Sequence, residues 1–70
     1  MDTAQLYGLI AQTIEAHETM SRWPDHMKRR VTSQVAPLLA AHAKTGHPME
    51  TPTDCLEGLR AVAPWVFPGE

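Results

Sequence analysis

The sequence has little of what usually stabilises a small protein. A single cysteine among 70 residues excludes an internal disulfide. Leucine, isoleucine, valine and phenylalanine together make up only about a fifth of the chain, a low supply of core residues for a globular domain. A chain this short with so thin a core usually depends on a metal, an oligomer or a partner. We therefore expect one marginally ordered domain, residues 1–70, with a further source of stability.

Long apolar runs and secretion signals are also missing. The longest apolar stretch, residues 35–43, is about half a membrane span and includes Pro37 and His42. Residues 1–3 have no basic region of the kind that starts a secretion signal. The lone Cys55 departs from the even cysteine counts of small secreted domains. These features predict a cytoplasmic chain with no membrane contact.

The apolar residues between positions 3 and 21 have helical spacing. They recur three and four residues apart, as one stripe of a helix does: Leu6, Leu9, Ile10 and Ile14, extended by His17 and Met20. Asp2 and Gln5 have the spacing of a capping box at the helix start. Gly8 either weakens this helix or lets another helix approach closely.

A second helix is predicted over about residues 24–45, because Trp23-Pro24 breaks the first helix and proline suits a helix start. Gly46 marks its end. Pro37 is expected to kink this helix rather than split it, although an internal proline can do either. Its predicted buried stripe follows helical spacing: Met27, Val31, Val35, Leu38 or Leu39, and His42.

A short third helix is predicted over about residues 52–63, after the start signal of Thr51, Pro52 and Asp54. Its apolar edge has helical spacing: Cys55, Leu56, Leu59 and Val62. The tail, residues 64–70, is too apolar for an ordinary solvated terminus. It either packs back across the helices or binds a partner.

These elements predict an all-α fold, because no strand pattern appears. The architecture is an antiparallel helical hairpin, with its second helix kinked at Pro37, a short third helix and a docked C-terminal tail. Two long helices present more apolar surface than one short helix covers. We therefore expect a homodimer in which the hairpins form one helical bundle.

Residues able to carry chemistry are few and poorly placed. His42, His47 and Cys55 are close in sequence, but they lack the tight pairs of a zinc site. Cys55 falls in the first turn of the third helix, where the helix dipole favours a thiolate, yet no base is spaced to assist it. Glu15 and Glu18 have the spacing of neighbours on a solvated face. We expect no enzyme, no catalytic residue, no metal and no cofactor.

Basic residues concentrate around the turn between the first two helices: Arg22, Lys28, Arg29 and Arg30. Such a cluster can neutralise nucleic-acid phosphates. Against this, Asp25 lies within it and the net charge is −2. The cations can instead pair with Glu15 and Glu18 across the hairpin, or form a basic patch that attracts an acidic protein surface.

Part of the chain resembles the small delta subunits of NAD-dependent formate dehydrogenases. The resemblance lies in residues 23–28, Trp-Pro-Asp-His-Met-Lys, and residues 38–42, Leu-Leu-Ala-Ala-His. It covers a minority of the chain and includes no catalytic motif, so no family is assigned from it.

Residue types that are enriched at protein interfaces also fall near this turn: Tyr7, Met20, Trp23 and Met27. The sequence therefore predicts a non-enzymatic interaction module that binds and modulates a larger protein, as regulator, inhibitor or accessory subunit. The predicted partner-binding residues are Arg22, Trp23, Lys28, Arg29 and Arg30, with Trp65 and Phe67 as second choice. The alternative is a small DNA-associated regulator that uses the basic cluster.

Overall fold

The computed structural model describes residues 2–67, which contain helices and no strand. Helix α1 spans Thr3–Ala16, helix α2 spans Asp25–Lys44 and helix α3 spans Pro52–Val62. Two 3₁₀ turns connect or follow them, the first at Met20–Arg22 and the second at Pro64–Val66. The all-α class is therefore confirmed. The last three residues of the predicted tail lie outside the described residues.

The start of α1 and the start of α3 are set by side chains next to them in sequence. The carboxylate of Asp2 accepts the backbone N–H of Gln5 at 2.8 Å, and the Gln5 side chain accepts the N–H of Asp2 at 3.3 Å. Thr51 and Asp54 form the same reciprocal box at α3. Backbone amides of Glu50 and Thr51 donate to the Asp54 carboxylate and lower its pKa. Both predicted capping arrangements are present.

Helix α1 ends earlier than the sequence predicted, at Ala16 rather than about residue 21. His17 has an extended backbone with ψ 134°. Its ring Nδ1 accepts the backbone N–H groups of Thr19 and Met20, both at 3.1 Å. These two hydrogen bonds satisfy donors at the start of the following turn, and they stabilise the break in place of the predicted continuous helix.

Helix α2 runs through Pro37 as one helix, and Gly46 follows its end with a φ of 94°. Pro37 lies on the exposed side, so its ring faces solvent. The open choice between the two leucines is settled in favour of Leu39, which is 0% exposed against 40% for Leu38. Met27 is also exposed, so its assignment to the core was wrong.

The core lies where the three helices meet, because α3 packs against both α1 and α2 and these two also contact each other. The end of the tail closes this core from one side, through Val66 and Phe67. The radius of gyration, 11.0 Å, equals the value of about 11 Å for a compact chain of this length. The buried hydrophobic residues are Leu6, Leu9, Ile10, Ile14, Met20, Val31, Val35, Ala36, Leu39, Met49, Cys55, Leu59, Ala63, Val66 and Phe67.

No helix within residues 2–67 combines the length and the apolar character needed to cross a bilayer.

Gly58 is where α3 comes closest to its neighbours. A Cβ at this position would stand 2.9 Å from Cδ2 of Leu39 and 3.0 Å from Cε of Met49. Gly8, by contrast, has nothing within 4 Å of the same point. The close approach that the sequence allowed at Gly8 therefore occurs at Gly58, and Gly8 is a tolerated glycine in an exposed turn of α1.

These two glycines make opposite predictions for alanine. Gly8→Ala is expected to raise the free energy of unfolding by about 1 kcal/mol, the helix-propensity gain. Gly58→Ala brings the same gain in helix propensity, but it forces two buried side chains to move, which costs about 1–3 kcal/mol. The net effect on the free energy of unfolding should therefore be neutral or destabilising. Urea unfolding followed by circular dichroism measures both. An equal gain at the two positions would contradict the packing at Gly58.

Candidate protein-binding groove

The largest aromatic cluster of the chain lines one groove. Its volume is about 410 Å³, within the usual range of ligand-binding clefts. The first 3₁₀ turn and the start of α2 form one side, and the second 3₁₀ turn forms the other. The groove is lined by His17, Glu18, Thr19, Met20, Trp23, Met27, Val31, Trp65, Val66 and Phe67. We call it the aromatic groove.

Short-range hydrogen bonds position the first tryptophan. His17 caps the turn that precedes it through the bonds to Thr19 and Met20. The backbone N–H of Trp23 donates to the carbonyl of Met20 at 3.1 Å and closes that turn. Pro24 then fixes the direction of the chain into α2. The Trp23 side chain is half-buried and packs against the edge of the core.

The second tryptophan is held differently, by burial of the residues that follow it. Val66 and Phe67 are buried, whereas Trp65 is 52% exposed. The Phe67 ring lies 5.8 Å from the His17 ring, centroid to centroid, and the guanidinium carbon of Arg60 lies 4.8 Å from its centroid. The tail thus packs on the core through two side chains and presents its indole in the groove. Of the two alternatives stated for the tail, packing on the core is confirmed for Val66 and Phe67, and partner binding through Trp65 stays a prediction.

The basic cluster does not form a single patch. Nζ of Lys28 is 2.8 Å from Oε1 of Glu15, so the predicted pairing across the hairpin is confirmed for this cation. Lys28 and Arg29 both line a second groove between α1 and α2, together with Tyr7 and Glu15. Consecutive helical residues point about 100° apart, so Arg30 points in yet another direction. Arg22 is exposed in the turn before Trp23.

The histidine and cysteine candidates are separated. His42 and His47 stack with their ring centroids 3.8 Å apart. Nδ1 of His47 is 3.0 Å from the Thr45 hydroxyl and 3.1 Å from the carbonyl of His42. Cys55 is fully buried, and burial raises the pKa of its thiol, although a hydrogen bond with Thr13 opposes this. Within residues 2–67 no three histidine, cysteine or acidic side chains are grouped to hold a metal ion.

Several groove residues were expected at this end of the molecule, and others were not. Met20, Trp23 and Met27 gather as predicted, but Tyr7 belongs to the second groove. Val31 and Val66 were not predicted as groove residues, because their spacing marks them only as apolar. Nothing local in the sequence places Trp23 and Trp65 in one groove, since this depends on the path of the tail.

Comparisons with known proteins found no matching family model, no matching curated protein and no matching solved structure.

Proposed function

We propose that this chain is a small, non-enzymatic interaction module that binds a larger protein through the aromatic groove. It acts on that protein as a regulator, an inhibitor or an accessory subunit. The observation that carries the proposal is the placement of both tryptophans in one groove, with Trp65 more than half exposed. Trp65 and Met27 are both exposed and line the same groove, and grouped apolar side chains of this kind mark interaction sites where single exposed ones do not.

Tryptophan at such a site has the properties of a binding hot spot. Tryptophan, tyrosine and arginine dominate the energetics of protein interfaces, and they act most strongly beside well-packed neighbours. Here Val66 and Phe67 supply the packed floor, and Met27 supplies an adaptable side chain at the edge. Cys55 is fully buried and its thiol is held protonated by a raised pKa, which argues against its use as a nucleophile.

The homodimer remains a prediction. The sequence predicted a dimer because the two long helices have an excess of apolar surface, and α3 covers much of that surface within one chain. The exposed large hydrophobic side chains of residues 2–67 are Tyr7, Met27, Leu38 and Trp65. A second copy is therefore the alternative occupant of the groove, and the experiment below distinguishes it.

The DNA-binding alternative has weaker support. Lys28 pairs with Glu15, and Lys28 and Arg30 point about 200° apart around α2. A phosphate-binding surface needs several cations on one face.

A photo-crosslinking experiment in the source cells tests the proposal. The full chain carries a photoreactive phenylalanine in place of Trp65 or, as control, in place of Tyr7. Position 65 is expected to give one discrete adduct with a larger protein that position 7 does not give. Excess unmodified chain should suppress the adduct, and chain with Trp23→Ala and Trp65→Ala should not. For the isolated partner, the double variant should bind about 1,000-fold more weakly, given about 2 kcal/mol for each of the two hot spots.

Three results would contradict the proposal. An adduct of twice the chain mass would show a second copy in the groove. Equal partner affinity for the wild-type chain and the double variant, with circular dichroism unchanged in both, would move the binding site elsewhere. Binding of duplex DNA that weakens steeply with salt and does not depend on either tryptophan would favour the DNA-associated regulator.

Tyr7→Ala should change partner affinity by no more than about twofold, as expected for a residue outside the contact.

A further inference from the structure

We infer that the aromatic groove is sensitive to pH: protonation of His17 releases the turn that leads to Trp23 and weakens the contact that holds the end of the tail. His17 is the histidine that lines this groove. The groove keeps its described shape while this ring is neutral, and it loosens in mild acid. Binding of the partner at neutral pH and its release in mild acid then follow, a consequence that rests on the proposed function.

Nδ1 of His17 acts only as a hydrogen-bond acceptor. The backbone N–H groups of Thr19 and Met20 both donate to it, each at 3.1 Å, and a backbone N–H cannot accept. The neutral ring therefore carries its proton on Nε2. Both nitrogens of a charged histidine carry protons, so the second proton occupies Nδ1 and removes the acceptor. Three donors would then face one another, and the charged ring has to leave this position.

The turn that the ring caps is short, and its own cap position provides no side-chain bond. It spans Met20–Arg22, and the Thr19 side chain that precedes it makes no capping hydrogen bond. The ring of His17 takes that role instead. The backbone N–H of Trp23 closes the turn at its other end. Loss of the His17 cap therefore acts directly on the segment that positions the Trp23 indole.

The same ring contacts the other side of the groove through Phe67. The two ring centroids are 5.8 Å apart, and the guanidinium carbon of Arg60 lies 4.8 Å from the Phe67 centroid. A protonated His17 would place a second cation beside this aromatic ring, and like charges repel. A His17 ring that swings away instead leaves part of Phe67 uncovered. Either movement loosens the residue that anchors the tail next to Trp65.

One carboxylate lies beside His17, and it is solvated. Glu18 lines the groove together with His17, and both also line a shallow depression between α1 and the start of α3. Glu18 is exposed, and a carboxylate in water stabilises a neighbouring cation only weakly. The other residues that line these two depressions, from all three helices and both 3₁₀ turns, are uncharged. Glu18 is therefore a weak counterweight to the loss of the cap and to the charge of Arg60.

His47 has the opposite arrangement and provides a control. Its Nδ1 is 3.1 Å from the carbonyl oxygen of His42, and a carbonyl oxygen only accepts. This bond needs a proton on Nδ1, so protonation of Nε2 leaves it in place. The His47 ring stacks on His42 with the centroids 3.8 Å apart, at the other end of α2 from Met27. Charge on this pair therefore acts away from the groove.

Nuclear magnetic resonance of the full wild-type chain tests the inference without a partner. The protein is labelled with ¹⁵N and 5-fluorotryptophan and titrated from about pH 7.5 to about pH 5.5, across the range in which histidine ordinarily takes up a proton. The ring nitrogens of His17 should first show a proton on Nε2 alone. As His17 titrates, the backbone N–H resonances of Thr19 and Met20 should move with the same midpoint. The fluorine resonances of both tryptophans should follow them. Backbone or fluorine resonances that stay unmoved while His17 titrates would overturn the inference.

Two histidine variants provide the matched comparison. His17→Asn keeps an oxygen that accepts at a cap but does not titrate. The unfolded chain has no cap to lose, so protonation of the wild-type chain shifts the equilibrium toward unfolding as the pH falls. Between about pH 7.5 and about pH 5.5, the thermal midpoint should fall by about 5 °C or more for the wild-type chain and for His47→Gln. For His17→Asn it should fall by less than about 2 °C.

Only the difference between the two pH values is compared, so a lower overall stability of His17→Asn does not affect the test. An equal fall of the midpoint in His17→Asn and the wild-type chain would contradict the role of His17. If His17→Asn does not fold, the resonances of the wild-type chain decide alone.

The two proposals fail in different ways. Thr19 and Met20 resonances that do not follow His17 remove the pH-sensitive cap and leave the proposed function standing. A partner that binds the wild-type chain and the chain with Trp23→Ala and Trp65→Ala equally removes the proposed function, whereas the cap is measured in the isolated chain.

Discussion

Leu39→Ala is expected to lower the free energy of unfolding by about 3 kcal/mol, within the range for leucine removed from a tight core. Leu39 is 0% exposed, and its Cδ2 lies against α3 at Gly58. The surrounding helices can close little of the resulting cavity. Small domains have a total stability as low as about 5 kcal/mol, so this variant should unfold at much lower urea concentration, as measured by circular dichroism.

The adjacent leucine is the matched control for this prediction. Leu38→Ala removes the same atoms from a side chain that is largely in solvent, and it should lower the free energy of unfolding by less than about 1 kcal/mol. Equal losses at the two positions would mean that α2 is rotated about its axis relative to the described packing.

Phe67→Ala is the second change with a large expected effect, again about 3 kcal/mol of unfolding free energy. The Phe67 ring is buried, contacts His17 and lies beneath the Arg60 guanidinium. Its loss leaves the side of the core under the second 3₁₀ turn uncovered. Thermal unfolding is expected to show a clearly lower midpoint, together with weaker binding at the groove.

Trp65→Ala separates stability from binding at the same end of the chain. The exposed indole contributes little to the core, so the free energy of unfolding should change by less than about 1 kcal/mol while partner affinity falls. If Trp65→Ala destabilised the chain as much as Phe67→Ala, the indole would be part of the core and the proposed hot spot would lose its basis.

The elements of this fold could be predicted because their signals are local. Asp2 with Gln5, and Thr51 with Asp54, are reciprocal pairs three residues apart, and each marks a helix start. Gly46 marks a helix end because its positive φ favours glycine. Signals of this kind need no knowledge of the rest of the chain.

Features that depend on contacts between elements could not be predicted. The early end of α1 depends on the ring of His17 accepting two backbone N–H donors. Histidine has no strong positional preference at helix ends from which these hydrogen bonds could be predicted. The close contact at Gly58 depends on where Leu39 and Met49 lie. Helical spacing from Val31 and Val35 allows either Leu38 or Leu39, which point about 100° apart, and the packing of α3 decides which of them is buried.

The candidate site contains one feature that the sequence alone predicts and one that it does not. The basic residues looked like one cluster because they are close in sequence, yet helix geometry alone points Lys28 and Arg30 about 200° apart around α2. That conclusion was available from the sequence. The placement of Trp23 and Trp65 in one groove was not, because it requires the tail to fold back and bury Val66 and Phe67.

Having both indoles of residues 2–67 in one groove gives the molecule a built-in optical reporter. Indole emission shifts to shorter wavelength when water around the ring is replaced by apolar contacts. A partner seated in the groove would cover the exposed indole of Trp65 and change the surroundings of Trp23 at the same time. Occupancy of the site is therefore readable from the intrinsic fluorescence of the unlabelled protein, with an occupant that itself lacks tryptophan.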